Sequence, residues 1–463
     1  MENRASLSTV DRLMSSYKSI ILAAGNGTRM NSAVPKVLHK ICGREMLNMV
    51  LDASNSASME SSVTVVPSNH SEFESVVGKR TQFAVQEIPK GTGHAILQAK
   101  HLADDVDNII VLSGDVPLIQ GTTITHMTEI HDSSQAAVTL LTSTLIPTEG
   151  MGRVVRDKSN NIQGIVEEKE ASSDELNIKE VNCGVYCFRA PWVWKALESL
   201  KPSGDGEFYL TDLVALASIN GLPIASVETE NCHETRGVNN RIQLSELESE
   251  VRRRILNKCM INGVTIIDPI NTYIDQQVEI GQDTVIHPNS FIKSGTHIGT
   301  TCSIGPGTTL INSVVGSNCE ITASIVEKST LSDGVSVGPF SHIREGSLLT
   351  KDVYVGNYCE IKNSRIGSGT KCGHFSYIGD ADVGDNANIG AGTITCNYDG
   401  KNKNKTKILD GAFIGSNTAL VAPVKIGKGS IVGAGSVITK NVKDKSLALT
   451  RANQIEVKNY KRK

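Results

Sequence analysis

The chain has 463 residues, which at roughly 150 residues per domain allows about three units, or two large ones. Lysine plus arginine total 46 and aspartate plus glutamate 49, a net charge of −3 that argues against a basic nucleic-acid or membrane-surface binder. Aromatic residues are only 4% while glycine numbers 41, so the core must be aliphatic with many tight backbone positions, and no apolar run approaches the ~18 residues of a membrane helix.

Residues 1–18 carry no apolar h-region and read as an N-terminal extension. From Ser19 the chain alternates apolar runs with helical patterns. Ser19–Ala24, Val63–Pro67, Ile109–Ser113, Ala136–Leu141 and Val181–Phe188 are expected strands, with amphipathic stretches such as His94–Ala103 between them. That alternation predicts a three-layer, Rossmann-like α/β domain over 19–239 with a mainly parallel sheet, and ligands beyond the carboxyl ends of its strands. The spacing of Ile242, Leu244, Leu247, Val251 and Ile255 predicts a linker helix within 240–262. The ten cysteines form no CxxC pair and read as thiols of a reducing cytosol, with Cys183 and Cys187 on one strand face.

From Ile280 aliphatic residues recur every six positions: 280, 286, 292, 298, 304 and 310, then 325 to 361, then 366 to 378, then 414 to 438. A small residue follows many of them by four, as at Thr284, Ser290 and Cys302, and glycine follows many directly. Positions two apart share a strand face, so each short strand points both inward. The period predicts a parallel β-helix over 263–463, three hexads to a coil, with about eight coils between 280 and 438 and glycines at the corners. General crossover rules make it right-handed. The polar run Asn397–Lys407 must loop out of the ladder, and the tail after Asn441 falls off-frame.

Chemistry gathers at two ends. Gly25 and Gly27 end a strand in a turn whose N–H groups can face an anion, with Arg29 and Lys36 as cations. Neither the dinucleotide fingerprint nor the P-loop pattern is met. Asp115, after a buried strand, suits Mg²⁺ shared with phosphate oxygens, and Mn²⁺ equally. On the rod, Arg344 and Lys362 lie 18 residues apart, one coil, and stacked cations call for an anion such as phosphate.

The LAAGNGTRM, PKVLH, GTGHA and SGDVPL motifs look like those of sugar-nucleotide pyrophosphorylases. Together with the hexad rod, Gly379-Asp380 and the run IGAGTITCNYDG, they make the chain resemble the bacterial bifunctional N-acetylglucosamine-1-phosphate uridyltransferase/glucosamine-1-phosphate N-acetyltransferase family, from Ser19 to about Arg451. The resemblance implies a left-handed β-helix, a cytoplasmic homotrimer, UTP and acetyl-coenzyme A as co-substrates, and no nucleic-acid or membrane partner. It implies that Leu22, Ala23, Ala24 and Gly25 hold the nucleotide, with Arg29 and Lys36 on its phosphates as catalytic cations and Ser113 and Gly114 beside it. Gln86, Gly91 and Thr92 would read the uracil. Asp115 and Asn239 would bind the metal, and Gly152, Glu167 and Asn182 the sugar. On the rod it implies His374 as general base, oriented by Glu360. Arg344, Lys362, Tyr377 and Asn388 would take glucosamine-1-phosphate. Ala391, Asn397, Tyr398, Ser416, Ala434 and Arg451 would line the acetyl-coenzyme A cleft. Ser113 stands where the family often has an aromatic residue. The alternatives are a sugar-1-phosphate nucleotidyltransferase whose β-helix serves only assembly or regulation, and a non-enzymatic β-helical binding protein.

Overall fold

A computed structural model describes residues 15–25, 27–57, 59–203 and 206–461. The chain divides after Leu247 into two compact units.

The first unit is built on a sheet in the order Ile224–Glu228, Val138–Ser143, Val181–Arg189, Asn108–Ser113, Tyr17–Leu22, Ser61–Pro67, Gln82–Gln86. Two apolar layers cover it, one around Ile20, Val111 and Phe188 and the other around Ile21, Leu112 and Cys187. This is the alternation a central strand buried on both faces must show. The sheet is mixed: Val181–Arg189 runs antiparallel to both neighbours. It is entered from the antiparallel hairpin of Arg153–Arg156 and Ile162–Val166, not from a helix, so no crossover returns the chain in the parallel sense. Cys183 and Cys187 share one apolar layer, and all ten cysteines are free thiols. The His94–Ala103 stretch breaks into Thr92–Gln98 and Lys100–Ala103.

A helix covers Arg241–Ile261. Val251 and Leu256 are buried, whereas Ile242 is 72% exposed, so the expected apolar stripe does not extend to its first turn.

The second unit is a β-helix of three parallel sheets. The first face has eleven strands, from Thr265–Ile266 to Leu447–Ala448. The second has ten, from Thr272–Ile274 to Val437–Ile438, and the third nine, from Glu279–Ile280 to Val424–Ile426. One aliphatic core runs its length, with the small residues Thr284, Ser290, Thr296 and Cys302 buried between the aliphatics. Four details differ from the hexad reading. Ile325 points outward at 43% exposure and Val326 takes the inward place, because the chain advances by five residues from Ile321 and again to Leu331. Such shortened coils fit nine turns, not eight, between 280 and 438. Most glycines after the inward aliphatics do not turn corners: a Cβ on Gly281 would lie 2.6 Å from the backbone of Gly299, so rung-to-rung approach demands them. Gly305 and Gly338 do hold positive φ, and elsewhere left-handed backbone falls on corner residues such as Gly295, Gly334, Asp283, Asn289, Asn318 and Asn363. The tail also rejoins the ladder, since Leu447–Ala448 pairs with Ile431–Val432.

Candidate functional site

In the first unit the predicted residues collect at one sheet edge. Leu22 and Ser113 end adjacent parallel strands in register, and Gly114 N–H donates to the Leu22 carbonyl at 3.0 Å. Ala23 and Ala24 are buried beyond them. Gly27, not Gly25, is the constrained glycine: its φ is +56°, and a Cβ there would sit 2.7 Å from Lys36 Cβ. That closeness brings the two cations round the loop. Arg29 Nη2 donates to Asn239 Oδ1 at 3.0 Å and Lys36 Nζ to the same oxygen at 3.3 Å, while Lys36 also ion-pairs with Asp115. Val238 N–H donates to the Asp115 carbonyl at 2.9 Å, and Asn239 N–H to Gln243 Oε1 at 2.7 Å. Four residues from three parts of the sequence thus meet around one carboxylate and one amide oxygen. Gln243, which positions Asn239, carried no recognisable motif.

Gln86 is 5% exposed; its Nε2 donates to the Gly91 carbonyl at 3.3 Å and lies 2.9 Å from His94 Nδ1. Thr92 Oγ1 accepts from Leu210 N–H at 3.1 Å, and Gly93 N–H donates to the Phe208 carbonyl at 2.8 Å. The segment Phe208–Leu210 therefore packs against the Gly91–Gly93 turn, a neighbour no local pattern announced. Burial, with Lys90 nearby, pushes the His94 pKa down.

Gly152, Glu167 and Asn182 also come together. Asn182 N–H donates to the Gly152 carbonyl at 2.9 Å. Asn182 Nδ2 donates to Tyr186 Oη at 2.6 Å. Thr211 Oγ1 donates to Glu167 Oε1 at 3.2 Å. Burial raises the Glu167 pKa against the Thr211 hydrogen bond.

On the β-helix, one corner carries a column. Asn357, His374, Ala391, Ser416 and Ala434 each follow a buried inward residue of the first face by two: Val355, Cys372, Ile389, Ile414 and Val432. Successive coils are hydrogen-bonded there: Gly392 N–H to the His374 carbonyl at 3.3 Å, Asn417 N–H to Ala391 at 2.7 Å, and Gly435 N–H to Ser416 at 2.8 Å. Arg451 follows the last strand of that face, its guanidinium 3.5 Å from where a Gly433 Cβ would stand. A histidine thus stands in line with a column of small residues that has an arginine at its far end. His374 Nδ1 lies 2.6 Å from Asn357 Oδ1. Within the chain Glu360 does not orient it: that carboxylate binds Arg344 Nη1 at 2.6 Å, because it begins a strand of the second face while His374 ends a strand of the first.

Arg344 and Lys362 are neighbours on the second face, with Arg344 N–H donating to the Ile361 carbonyl at 2.8 Å. Glu360 holds the Arg344 pKa up. Lys403, then Arg344, push that of Lys362 down. Lys403 is a third cation that the sequence reading missed. Tyr377 sits beside Glu360 in register, and its Oη is 3.4 Å from Asn397 Nδ2. Asn397 is buried and Tyr398 is 62% exposed. Asn388 does not join them, because it lies on the first face, between Lys371 and Phe413 of the neighbouring coils.

Fold and site define a two-part transferase. Residues 19–155 match the MobA-like NTP transferase domain, 266–355 the GMPPB C-terminal domain, and 405–440 the bacterial transferase hexapeptide repeats. The hexapeptide β-helix is left-handed; strands of two to four residues carry too little twist for the right-handed crossover rule to hold. The chain is 44% identical over 450 residues to the bifunctional protein GlmU of Desulfitobacterium hafniense, covering 97% of this chain and 99% of that one. It is 43% identical to that of Brevibacillus brevis, covering 97% and 98%. It is 45% identical to that of Carboxydothermus hydrogenoformans, covering 96% and 99%. The chain belongs to the GlmU family of bifunctional proteins.

Proposed function

We propose that the enzyme makes UDP-N-acetylglucosamine in two steps: acetyl transfer from acetyl-coenzyme A to glucosamine-1-phosphate, then uridylyl transfer from UTP to N-acetylglucosamine-1-phosphate, releasing pyrophosphate. The observation that carries this reading is the corner column, in which His374 stands in line with small residues, on a chain that also carries the Arg29–Lys36–Asp115–Asn239 cluster. A β-helix used only for assembly needs no such column, and a non-enzymatic rod needs no cation cluster.

At the β-helix, Arg344 and Lys362 supply charge for a sugar phosphate, and the exposed His374 takes a proton from the sugar amine as it attacks the thioester carbonyl; the C–S bond then breaks, and coenzyme A leaves as the thiolate and takes up that proton. Asn357 presents an acceptor oxygen, so His374 Nδ1 carries the hydrogen and Nε2 is the free acceptor. Ala391, Ser416 and Ala434 admit the pantetheine arm, and Arg451 meets a coenzyme phosphate. In the first unit the sugar phosphate is already an anion, so attack on the α-phosphorus of UTP needs no general base. Catalysis there is positioning and charge neutralisation by Arg29 and Lys36. The donors of Asp115 and Asn239, a carboxylate and an amide oxygen beside the phosphate-facing cations, fit Mg²⁺ that completes its shell with phosphate oxygens and water. When bound, the ion adds charge stabilisation on the phosphates.

The β-helix is read as one of three in a homotrimer. Phe340, Tyr358 and Phe375 form an exposed stack at the His374 corner, with ring centroids 5.4 and 5.1 Å apart. Phe413, Ile431 and Leu447 face outward on the first face, whereas the third presents Arg365, Asp382, Lys407 and Lys425. With Asn388 held apart from Arg344 and Tyr377, a groove between two prisms would unite them. Among the described residues no helix is long and apolar enough to cross a membrane, and the free thiols accord with the cytoplasm.

The test supplies glucosamine-1-phosphate, acetyl-coenzyme A, UTP and Mg²⁺ and identifies products by mass. The wild type should yield UDP-N-acetylglucosamine. Asp115→Asn should stop at N-acetylglucosamine-1-phosphate, and His374→Ala should leave glucosamine-1-phosphate unacetylated while still uridylylating added N-acetylglucosamine-1-phosphate. Loss of both activities in either variant contradicts independent sites.

A further inference from the structure

The strap leaving the β-helix after Asn397 lengthens one coil: Val383 and Ile408 are register partners 25 residues apart, against 18 for Ile408 and Ile426 on the next. Both ends of this strap are fastened to one residue. Asp380 Oδ2 accepts from Asn397 Nδ2 at 2.5 Å, and the Asp380 carbonyl accepts from Thr406 N–H at 3.3 Å. Its Oδ1 accepts from Asn363 Nδ2 at 2.5 Å, and its N–H donates to the Lys362 carbonyl at 3.0 Å. Asp380 is only 6% exposed and holds a left-handed φ of 49°, so a buried carboxylate is seated at a corner with both oxygens satisfied by side-chain amides. Local turn formation does not require this arrangement.

A carboxylate accepts hydrogen bonds and donates none. Asp380 therefore decides which end of the Asn397 amide turns inward: the NH₂ group faces Asp380, and Oδ1 is the end left for other partners. The same strap carries Lys403, which faces Lys362.

We propose that Asp380 is a positioning residue for acetyl transfer. It latches the 397–406 strap and fixes the Asn397 amide with its carbonyl oxygen presented as an acceptor for a hydroxyl or amino hydrogen of the sugar phosphate. This rests on the acetyl-transfer reading above. An uncharged amide at 380 loses one acceptor, so either Asn363 or Asn397 is left facing a second donor and the amide of Asn397 is free to turn over.

The test measures kcat and KM for glucosamine-1-phosphate in Asp380→Asn, Asn397→Ala and the double variant. Asp380→Asn should lower kcat/KM about tenfold, the size of one charge-assisted hydrogen bond. The loss should vanish on the Asn397→Ala background. An equal loss on both backgrounds makes Asp380 a fold support and overturns the proposal, as does activity within about twofold of wild type for the single variant. Should Asp380→Asn fail to fold, Asn397→Asp serves instead: it places two carboxylates face to face, must lose at least as much, and overturns the proposal if it does not. A wild-type enzyme unable to acetylate glucosamine-1-phosphate would sink the acetyl-transfer reading itself; a silent Asp380→Asn in an active enzyme sinks only this inference.

Discussion

His374 and Asn357 face each other across one coil, and their 2.6 Å contact fixes which imidazole nitrogen is free. Asn357→Ala leaves the ring without that partner, so kcat for acetyl transfer should fall about 10- to 100-fold, the usual cost of losing an orienting neighbour, with little change in KM. Steady-state kinetics checks this. In the first unit, burial raises the Glu167 pKa above the ordinary 4.5. The sign follows: as pH falls, Glu167 is protonated earlier than an exposed glutamate and exchanges one charged acceptor oxygen for an O–H donor, weakening its hold on sugar hydroxyls. KM for N-acetylglucosamine-1-phosphate should therefore climb on the acid side from a higher pH than a free carboxylate would give. Glu167→Gln should flatten that limb of the pH profile.

At the scale of the element, the β-helix is limited by how closely its coils approach. A Cβ on Gly356 would lie 2.0 Å from the Gly373 carbonyl oxygen, whereas a Cβ on Gly373 would meet nothing within 4 Å. Gly356→Ala should then destabilise the rod by about 1–3 kcal/mol, the range for overpacking, and Gly373→Ala far less. Thermal unfolding of the two variants compares them directly. The hexad rhythm identified the coils because burying one aliphatic per short strand is a local requirement. It misplaced Ile325, because a five-residue step preserves the stacking of neighbours while shifting the face of everything between. Only the pairing of Val326 with Ile343 reveals which residue turned in.

For the whole molecule, the outward aromatic stack at the His374 corner and the apolar strand centres of the first face leave hydrophobic surface that a single chain does not cover. Sedimentation at micromolar concentration should give three times the chain mass. Full acetyltransferase activity in a species sedimenting as a single chain would refute a groove shared between prisms.

The sequence by itself made the two-part architecture legible, an α/β unit followed by a β-helix, and pointed to a chemical end on each part. Strand alternation, hexad period, Gly-rich loop and stacked cations are all periodic or contiguous signals, each enforced by backbone geometry within a few residues. The partners were decided by tertiary structure. The family resemblance pairs Glu360 with His374, yet the wound coils give Glu360 to Arg344 and His374 to Asn357, 17 residues earlier and one coil away. Gln243 behind Asn239, Phe208 against Gly93 and Asp380 under Asn397 belong to the same class. A hydrogen bond constrains distance in space, and separation along the chain becomes distance only once the coils and sheet edges are wound.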